Sequence, residues 1–385
     1  MKIEQNFSAC FSCGACELRC PQKAVCLVAD ENGFQYPLID ADACVGCGLC
    51  DTICPALNPQ KEKESLGFFY AVNKNDGVRK KSSSGGVFHA LATSVLQDGG
   101  VVFGAAFDNA SLSVRHCSTD EVLLDDLLRS KYVESDAKAS YPLVKTLLSQ
   151  GRKVLFCGTP CQIEGLYVFL GKPFENLITC DFVCHGVPSA RFFRQHLEHI
   201  EKRFSLKLKN VLFRSKAYGW SFQLMRYEFV NGKVYEEPAM CDTFFRGFIT
   251  ENLFLRESCY SCPFTNAHPA DITMADFWGF RAYSKRLNDE KGLSLISVNT
   301  NAGLSLWQAC SKKIEYAPLD TKFAEYAFKK RVISPDKMQR RKQFLSLVDK
   351  KGFERAAKET YMKKTAKYKL KFLYKKFLDR GVHNV

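Results

Sequence analysis

The sequence predicts a small α+β module at the N-terminus, then an α/β domain with a mixed sheet, and finally a helical, basic C-terminal tail. Three observations support this fold class. Two cysteine-rich runs lie within the first 57 residues. Strand-like and helix-like segments then alternate, and from about Pro318 the chain becomes helical and charged. We expect the three parts to span residues 1–57, 66–310 and 318–385.

The N-terminal module is defined by two runs in which four cysteines and a proline stand at the same offsets. The runs are Cys10, Cys13, Cys16, Cys20 and Pro21, then Cys44, Cys47, Cys50, Cys54 and Pro55. Both match the bacterial ferredoxin run C-x2-C-x2-C-x3-C-P, which holds [4Fe–4S] clusters through thiolates. The sequence therefore predicts an α+β ferredoxin-like module with two [4Fe–4S] clusters.

The fourth cysteine of each run is expected to bind the cluster of the other run, as in two-cluster ferredoxins. The predicted ligand groups are Cys10, Cys13, Cys16 and Cys54 for one cluster, and Cys44, Cys47, Cys50 and Cys20 for the other. Structural zinc more often uses separated C-x2-C pairs, and disulfides are rare in reducing compartments. Cys26 lies outside both runs, in an apolar segment, and we expect it to be a buried thiol in a strand.

Composition narrows the class of protein. No apolar run of the 385 residues reaches the length of a membrane span, and the N-terminus lacks the apolar stretch of a secretory signal. Together with 18 cysteines, this indicates a cytoplasmic protein that uses its thiols for metal. The net charge is +14, and residues 352–385 alone carry ten Lys or Arg against three acidic residues.

Local patterns predict the elements in order. Residues 24–29 and 34–39 form a hairpin of strands, and residues 57–65 form a linker. The α/β part has predicted strands at 67–73, 101–107, 153–157 and 177–183, and predicted helices at 85–97, 139–150, 160–170 and 188–204. Antiparallel strands at 212–214, 221–229 and 233–236 follow, around the Asn231-Gly232 turn.

Two features of the α/β part suggest chemistry without settling it. The segment Ser82-Ser83-Ser84-Gly85-Gly86 follows a strand and opens a helix, which suits a phosphate site and also an ordinary glycine-containing helix start. Cys161 and Cys184 follow neighbouring strands and could converge with the pair Cys259 and Cys262. From spacing alone, four ligands and four unrelated thiols remain equally open.

These motifs occur in an order that resembles the coenzyme F420 hydrogenase/dehydrogenase beta-subunit family. The resemblance rests on short segments spread over residues 1–300: Ser83-Ser84-Gly85-Gly86, Ser130-Lys131-Tyr132-Val133, Gly158-Thr159-Pro160-Cys161-Gln162, Val183-Cys184-His185-Gly186-Val187-Pro188, and Cys259-x2-Cys262 with Ala270-Asp271-Ile272. It implies an iron–sulfur oxidoreductase that depends on FAD. One departure is Ala275-Asp276, where the family commonly has a glycine before the aspartate.

Carried over residue by residue, the resemblance implies a flavin site and a third cluster. Flavin contacts are expected from Ser83, Ser84, Gly85 and Gly86, with Lys131 near the flavin and Thr159 on the same sheet edge. The third [4Fe–4S] cluster would use Cys161, Cys184, Cys259 and Cys262. Cys157 and Cys180 are competing thiols, and His185 is either a proton donor or a residue held by hydrogen bonds.

The resulting functional hypothesis is a cytoplasmic oxidoreductase that passes electrons between clusters and FAD, for hydride reduction or oxidation of a small organic substrate. Its expected redox partner is a ferredoxin or a similar protein. The alternatives are a non-catalytic electron-input subunit and a redox sensor. Nucleic-acid binding is not expected, because no known reading module accompanies the basic charge. The tail either lies on the inner face of a membrane, docks an acidic partner, or is a solvated helix.

Overall fold

The computed structural model describes residues 2–58, 63–265, 267–283, 289–328, 333–362 and 365–382. The strands are β1 Val25–Ala29, β2 Gln35–Ile39, β3 Gly67–Asn73, β4 Val101–Asp108, β5 Ser113–Ser118, β6 Val154–Cys157, β7 Leu177–Phe182, β8 Leu208–Ser215, β9 Leu224–Phe229, β10 Val234–Pro238, β11 Ile272–Asp276, β12 Ser294–Val298 and β13 Ile314–Pro318.

The helices are α1 Lys2–Gln5, α2 Ala15–Arg19, α3 Leu49–Ile53, α4 Asp76–Lys81, α5 Val87–Gln97, α6 Leu124–Leu127, α7 Tyr141–Ser149, α8 Pro160–Leu170, α9 Ala190–Phe204, α10 Thr243–Arg246, α11 Phe280–Tyr283, α12 Asn301–Cys310, α13 Thr321–Phe328, α14 Pro335–Lys351, α15 Phe353–Thr360 and α16 Ala366–Val382. Short 3-10 turns include Phe7–Ala9 and Glu257–Ser261. In the described part of the chain, no helix is both long and apolar enough to cross a bilayer.

The large sheet has the strand order β13-β3-β12-β11-β7-β6-β4-β5. Its centre is parallel, because β4, β6, β7 and β11 run in one direction. The outer pairs are antiparallel, including β11 with β12 and β4 with β5. The predicted fold class, with a mixed sheet behind a ferredoxin-like module and a helical C-terminal region, is confirmed.

Helices cover both faces of the large sheet, as the alternation of side chains along its strands requires. In β6, Val154 and Phe156 pack with α7 and α8 on one face. Leu155, between them, joins Ile178 in the cluster under α5 and α12 on the other face. This three-layer arrangement fixes the ends of the parallel strands, where Cys157 and Cys184 lie at and just beyond the ends of β6 and β7.

A second sheet of three antiparallel strands, in the order β10-β9-β8, stands apart from the first. Its core includes Phe193 of α9 and also reaches α14 and α15 through Phe344, Val348 and Phe353. The hairpin predicted at Asn231-Gly232 is present between β9 and β10. The predicted strand at 212–214 is longer in the structure, because its pairing with β9 extends over Leu208–Ser215.

The N-terminal module is an antiparallel hairpin with the two cysteine runs on either side. β1 and β2 pair from Val25 with Ile39 to Ala29 with Gln35, as predicted. The hairpin turn docks on the start of α9, where Ser189 donates to the Asn32 carbonyl and Arg191 to the Glu31 carbonyl. Of the predicted linker at 57–65, residues 59–62 lie outside the described residues.

Candidate cluster and flavin site

The first cysteine run and the last cysteine of the second run lie together. Burial raises the pKa of the Cys13 thiol to about 12, and Cys10 and Cys54 add to the increase. The pKa of Cys16 is raised in the same way, by burial and then by Cys13, Cys10 and Cys54. Since thiolates raise one another's pKa only at short range, Cys10, Cys13, Cys16 and Cys54 form one group, and their binding of one shared cluster stays a prediction.

The remaining cysteines of the module form a more exposed group. Cys50 is buried beside Cys20 in the small core around Val25. Burial raises the pKa of the Cys50 thiol. The charge of Asp51 adds to this increase, and Cys44 adds less. Cys47 is exposed, on the loop between Cys44 and α3.

A single metal ion fits these groups poorly. Within the described ranges, no three His, Cys, Asp or Glu side chains are close enough to share one ion. In a [4Fe–4S] cube each thiolate binds a different iron, so its four ligands stand further apart than the ligands of one zinc ion. The donor set of thiols alone therefore fits cubes.

A third group of thiols forms where the parallel strands end. Cys161 lies in the first turn of α8, and Cys184 follows β7. Burial raises the pKa of the Cys161 thiol well above its usual value, and the thiols of Cys184, Cys262 and Cys259 add to the increase. The four cysteines therefore share one neighbourhood, although Cys184 and Cys259 are 75 residues apart. The Thr159 hydroxyl lies 3.1 Å from the Cys161 Sγ.

The first and third groups are neighbours across α8. A methyl group on Gly165, one turn after Cys161, would lie 2.5 Å from the Cys13 Cβ. Tyr141 is fully buried. Burial raises the pKa of its hydroxyl, and Cys13 and Cys161 raise it further, which places the ring between the two groups. Its hydroxyl donates to the Gln162 carbonyl at 2.7 Å.

Arg256 is a second residue between the two groups. Its guanidinium is 1% exposed, and it lowers the pKa of the Cys10 thiol, which burial raises. Burial alone would lower the pKa of Arg256. Nearby negative charge more than offsets this effect and raises the pKa, with contributions from Glu134, Cys10 and Cys259. On the same turn, the Ser258 hydroxyl donates to the Cys10 carbonyl at 3.0 Å.

The predicted flavin residues on two separate segments come together. The Ser130 N–H, next to Lys131, donates to the Ser83 hydroxyl at 2.7 Å. The Ser84 hydroxyl donates to the Leu293 carbonyl at 2.7 Å, and the Gly85 N–H donates to the Ser294 hydroxyl. These groups are therefore used to shape the loop, which joins α4 to α5.

Lys131 connects this loop to the cysteine-bearing strand end. Its ammonium donates to the carbonyls of Asp126 and Leu128, at 2.7 and 2.6 Å. Burial, and then the charge of Arg129, lowers the pKa of Lys131 to about 7. Cys157 is close enough to act on that pKa in the opposite direction, and it stands four residues before Cys161.

Sequence reasoning missed the cations and aromatic rings around the Ser83 loop. The Trp220 indole donates to the Ser83 carbonyl at 3.1 Å, and the Lys216 ammonium donates to the Ser84 carbonyl at 2.7 Å. Trp220 stacks on Trp278, with ring centroids 4.3 Å apart. Trp278 stands two residues after Ala275-Asp276, a pair that the family resemblance had singled out, whereas the contacts of Trp220 and Lys216 span more than 130 residues of sequence.

Arg214 supplies a buried positive charge at this place. Its Nη1 bonds the Asp276 carboxylate at 2.6 Å, and its guanidinium stands 5.4 Å from the centre of the Trp278 ring. Its Nη2 is buried without a close hydrogen-bond acceptor among the described residues, and the Tyr132 hydroxyl lies near enough to interact with the guanidinium. A flat aromatic ring beside such a cation suits a planar ligand that carries negative charge.

The remaining cysteines and the histidine considered in the sequence lie outside the three cysteine groups. Cys157 and Cys180, the competing thiols, are paired with each other in the register of β6 and β7. The His185 ring is 2.7 Å from the side-chain oxygen of Asn252. The expectation that Cys26 is buried was wrong: it lies in β1, but its side chain is on the exposed side of the hairpin.

A cavity of about 320 Å³ lies elsewhere, between α9 and the C-terminal helices. His196 is at its wall, with its ring nitrogens 2.6 Å from Glu354 and 2.8 Å from the Tyr227 hydroxyl. None of the predicted site residues lines this cavity.

Two segments of the chain match known protein families. Residues 151–322 match the family described as the C terminus of the coenzyme F420 hydrogenase/dehydrogenase beta subunit, and residues 9–58 match a 4Fe-4S dicluster domain. No curated protein matches the chain. A solved chain of the F420-reducing [NiFe] hydrogenase complex from Methanosarcina barkeri is similar, with 16% identity and a TM-score of 0.47 over 77% of this chain and 96% of that chain. Residues 151–322 thus resemble the C terminus of the coenzyme F420 hydrogenase/dehydrogenase beta subunit, and a 4Fe-4S dicluster domain precedes them, a combination typical of an iron–sulfur subunit of oxidoreductase type.

Proposed function

We propose that the protein is an FAD-dependent iron–sulfur oxidoreductase that exchanges electrons between [4Fe–4S] clusters and a flavin within one polypeptide. The observation that carries this proposal is the convergence of Cys161, Cys184, Cys259 and Cys262. This group adjoins the first cysteine group of the dicluster module through the close approach of Gly165 to Cys13. A third cube at this place would extend the electron-transfer path from the two clusters of the dicluster module into the α/β domain.

The proposed path begins at the protein surface. Cys47 is exposed, and nearby Val45 is 66% exposed. This surface offers a ferredoxin, or another small redox protein, direct access to the cluster held by Cys20, Cys44, Cys47 and Cys50. Arg256 and Tyr141, buried between the next two groups, keep water away from the gap between them and supply a positive charge beside Cys10.

The flavin would lie where the Ser83 loop meets Ser130 and Lys131. When bound, it supplies the exchange between single electrons from a cluster and a hydride transferred to or from a small organic substrate. Arg214 would provide positive charge that stabilises an anionic ring or phosphate, and Lys131 would add to it below its pKa of about 7. Ser83, Ser84, Gly85 and Gly86 hold the loop in shape through Ser130, Leu293 and Ser294. Thr159 would orient Cys161 in the adjacent cluster.

The domain limits and the location belong to the same proposal. We place the dicluster domain at 1–57, the flavin-binding domain at 66–310 and a helical basic tail at 318–385. A reducing cytoplasm is the compartment in which these thiols and their clusters would persist.

A second candidate function is an electron-input subunit that feeds a partner enzyme. Phe182 and Trp278 favour it, because Phe182 ends β7, Trp278 follows the neighbouring parallel strand β11, and the two are 38% and 46% exposed. An exposed apolar edge beside the flavin site would suit a docked protein as well as a small substrate. Activity of the isolated chain on small acceptors would favour the enzyme, whereas activity only with a partner would favour the subunit.

The experiment that tests the proposal is anaerobic purification followed by iron, sulfide and flavin quantification. Three cubes require about 12 iron atoms per chain, and one flavin per chain is expected. Cys161→Ser with Cys184→Ser should lower iron to about 8, whereas Cys310→Ser, a buried thiol in α12, should leave it unchanged. A wild-type protein with about 8 iron atoms would remove the third cluster, and one without flavin would reduce the function to electron carriage.

A further inference from the structure

α16 presents an apolar stripe to solvent. Leu370, Leu373, Tyr374 and Phe377 recur at helical spacing, so they share one face. They are 67%, 60%, 63% and 75% exposed. Large apolar side chains that are exposed singly are ordinary, but four adjacent ones on one helix form a continuous patch.

The opposite side of α16 is fixed to the rest of the protein. Phe372 packs edge-on against Tyr218, with ring centroids 5.5 Å apart, and stacks on Phe222 at 6.2 Å. The Lys375 ammonium donates to the Tyr218 carbonyl at 2.7 Å. Phe372 and Lys375 therefore orient the helix so that the stripe points away from the protein.

Lysines border the stripe on both sides. With 100° between successive residues of a helix, Lys367 and Lys371 fall on one side of the stripe, and Lys369 and Lys376 on the other. The positive charge of this region is concentrated here, since residues 366–382 contain six Lys or Arg and a single acidic residue. An apolar stripe between two basic rows is the pattern of a helix that lies in the plane of a membrane surface.

We propose that α16 docks the protein on an anionic lipid bilayer, with Leu370, Leu373, Tyr374 and Phe377 inserted below the headgroups and the flanking lysines beside lipid phosphates. In the cytoplasm this surface is the inner leaflet. A second copy of the chain fits less well, because pairing two such stripes would bring like-charged lysine rows together. An acidic redox partner also fits less well, because it needs access to the cluster near Cys47, whereas α16 packs beside β10 and Tyr218.

This inference is independent of the proposed redox function, because it concerns a surface and not the clusters. The test is flotation of the whole protein with vesicles of phosphatidylglycerol and phosphatidylcholine, or of phosphatidylcholine alone. Binding is expected only to the anionic vesicles, and it should weaken at high salt. Leu373→Ser with Phe377→Ser should lower the partition coefficient at least tenfold, and Lys367→Gln with Lys376→Gln roughly 10- to 30-fold.

A matched control removes two exposed apolar side chains elsewhere. Leu66→Ser with Leu123→Ser, at positions 55% and 76% exposed, should bind vesicles as the wild type does. Equal binding of the α16 variants and the wild type would overturn the proposal, as would an absence of binding to anionic vesicles. A dimer detected by light scattering, or a complex with oxidised ferredoxin, would also overturn it if the Leu373→Ser, Phe377→Ser protein lost that association instead of vesicle binding.

Discussion

Arg256 and Glu134 form an ion pair inside the protein, with the Arg256 Nη2 2.5 Å from a Glu134 carboxylate oxygen. Arg256 lies immediately before the turn that carries Cys259, and its Nη1 also donates to the Gln35 carbonyl of the hairpin at 3.0 Å. One side chain thus joins the dicluster module, the third cysteine group and the Glu134 segment.

Replacing Arg256 should destabilise the protein strongly. Arg256→Gln leaves Glu134 without its cation in a mostly buried place, and breaking such a pair costs about 3–5 kcal/mol. We expect a corresponding fall in the anaerobic free energy of unfolding. The control is Arg355→Gln, which breaks a pair with Glu359 at the surface (73% and 39% exposed) and should cost less than about 1 kcal/mol. Similar losses in the two variants would contradict the structural role of Arg256.

Gly165→Ala should disturb the contact between α8 and the first cysteine run. In an exposed helix this change would stabilise by about 1 kcal/mol, but here the new methyl group would lie 2.5 Å from the Cys13 Cβ. Overpacking of this kind costs about 1–3 kcal/mol, so the melting temperature should fall and iron should be lost from the module. Gly104→Ala is the control, because its nearest neighbour would be 3.7 Å away. A Gly165→Ala protein with wild-type melting and iron content would show that the two parts do not dock as described.

His196 should make the protein sensitive to alkaline pH. Burial alone would lower the pKa of His196, but the carboxylates of Asp242 and Glu354 more than offset it and raise the pKa to about 10. The charged His196 therefore stabilises the folded state. This contribution is complete below the unfolded pKa of about 6.5 and is lost as the pH rises towards 10. Chemical unfolding across this range should show a loss of about 5 kcal/mol.

His196→Gln should be less stable than the wild type at neutral pH and should lose most of that alkaline dependence. His199→Gln, at a partly exposed histidine four ångströms from Glu354, should retain it. An unchanged alkaline slope in the His196→Gln protein would mean that the histidine is not charged in the folded state.

Lys131 should make stability rise with pH, which is opposite to the effect of His196. Burial lowers its pKa to about 7, so between this pH and about 10.5 the unfolded chain binds a proton that the folded chain does not. Stability should therefore rise with pH over this interval. Lys131→Met should flatten the rise and weaken flavin binding roughly tenfold, measured by calorimetry with FAD. Lys153→Met, at a surface ion pair with Asp98, should change neither. A Lys131→Met protein with a wild-type slope and wild-type flavin affinity would remove Lys131 from the site.

The sequence predicted those features whose signals are local. α8 has the predicted bounds because Pro160 suits the first turn of a helix and Gly171, at a φ of 69°, ends it. The antiparallel hairpin followed from its turn residues, and the ferredoxin pattern indicated that Cys54 lies near the first run. The convergence of Cys161, Cys184 and the Cys259 pair required the family resemblance, because no local spacing connects them.

Features that depend on distant contacts could not be predicted. The partners of the Ser83 loop, Trp220 and Lys216, lie more than 130 residues away, and their local sequence carries no ligand pattern. The charged C-terminal segment also concealed core residues, since Phe344 and Phe353 are 1% and 2% exposed in helices that are mostly polar. Burial at these positions is decided by the three-stranded sheet against which the helices pack.

The central claim is that thiolate-held clusters deliver electrons to a flavin inside this one chain, and flavin reduction by reduced ferredoxin measures it most directly. Stopped-flow absorbance on the anaerobic protein should show rapid flavin bleaching in the wild type. In Cys161→Ser protein with the same flavin content, bleaching should slow at least a hundredfold, roughly 2.7 kcal/mol in the activation free energy. Equal rates in the two proteins would contradict the account, because electrons would then reach the flavin without the third cysteine group.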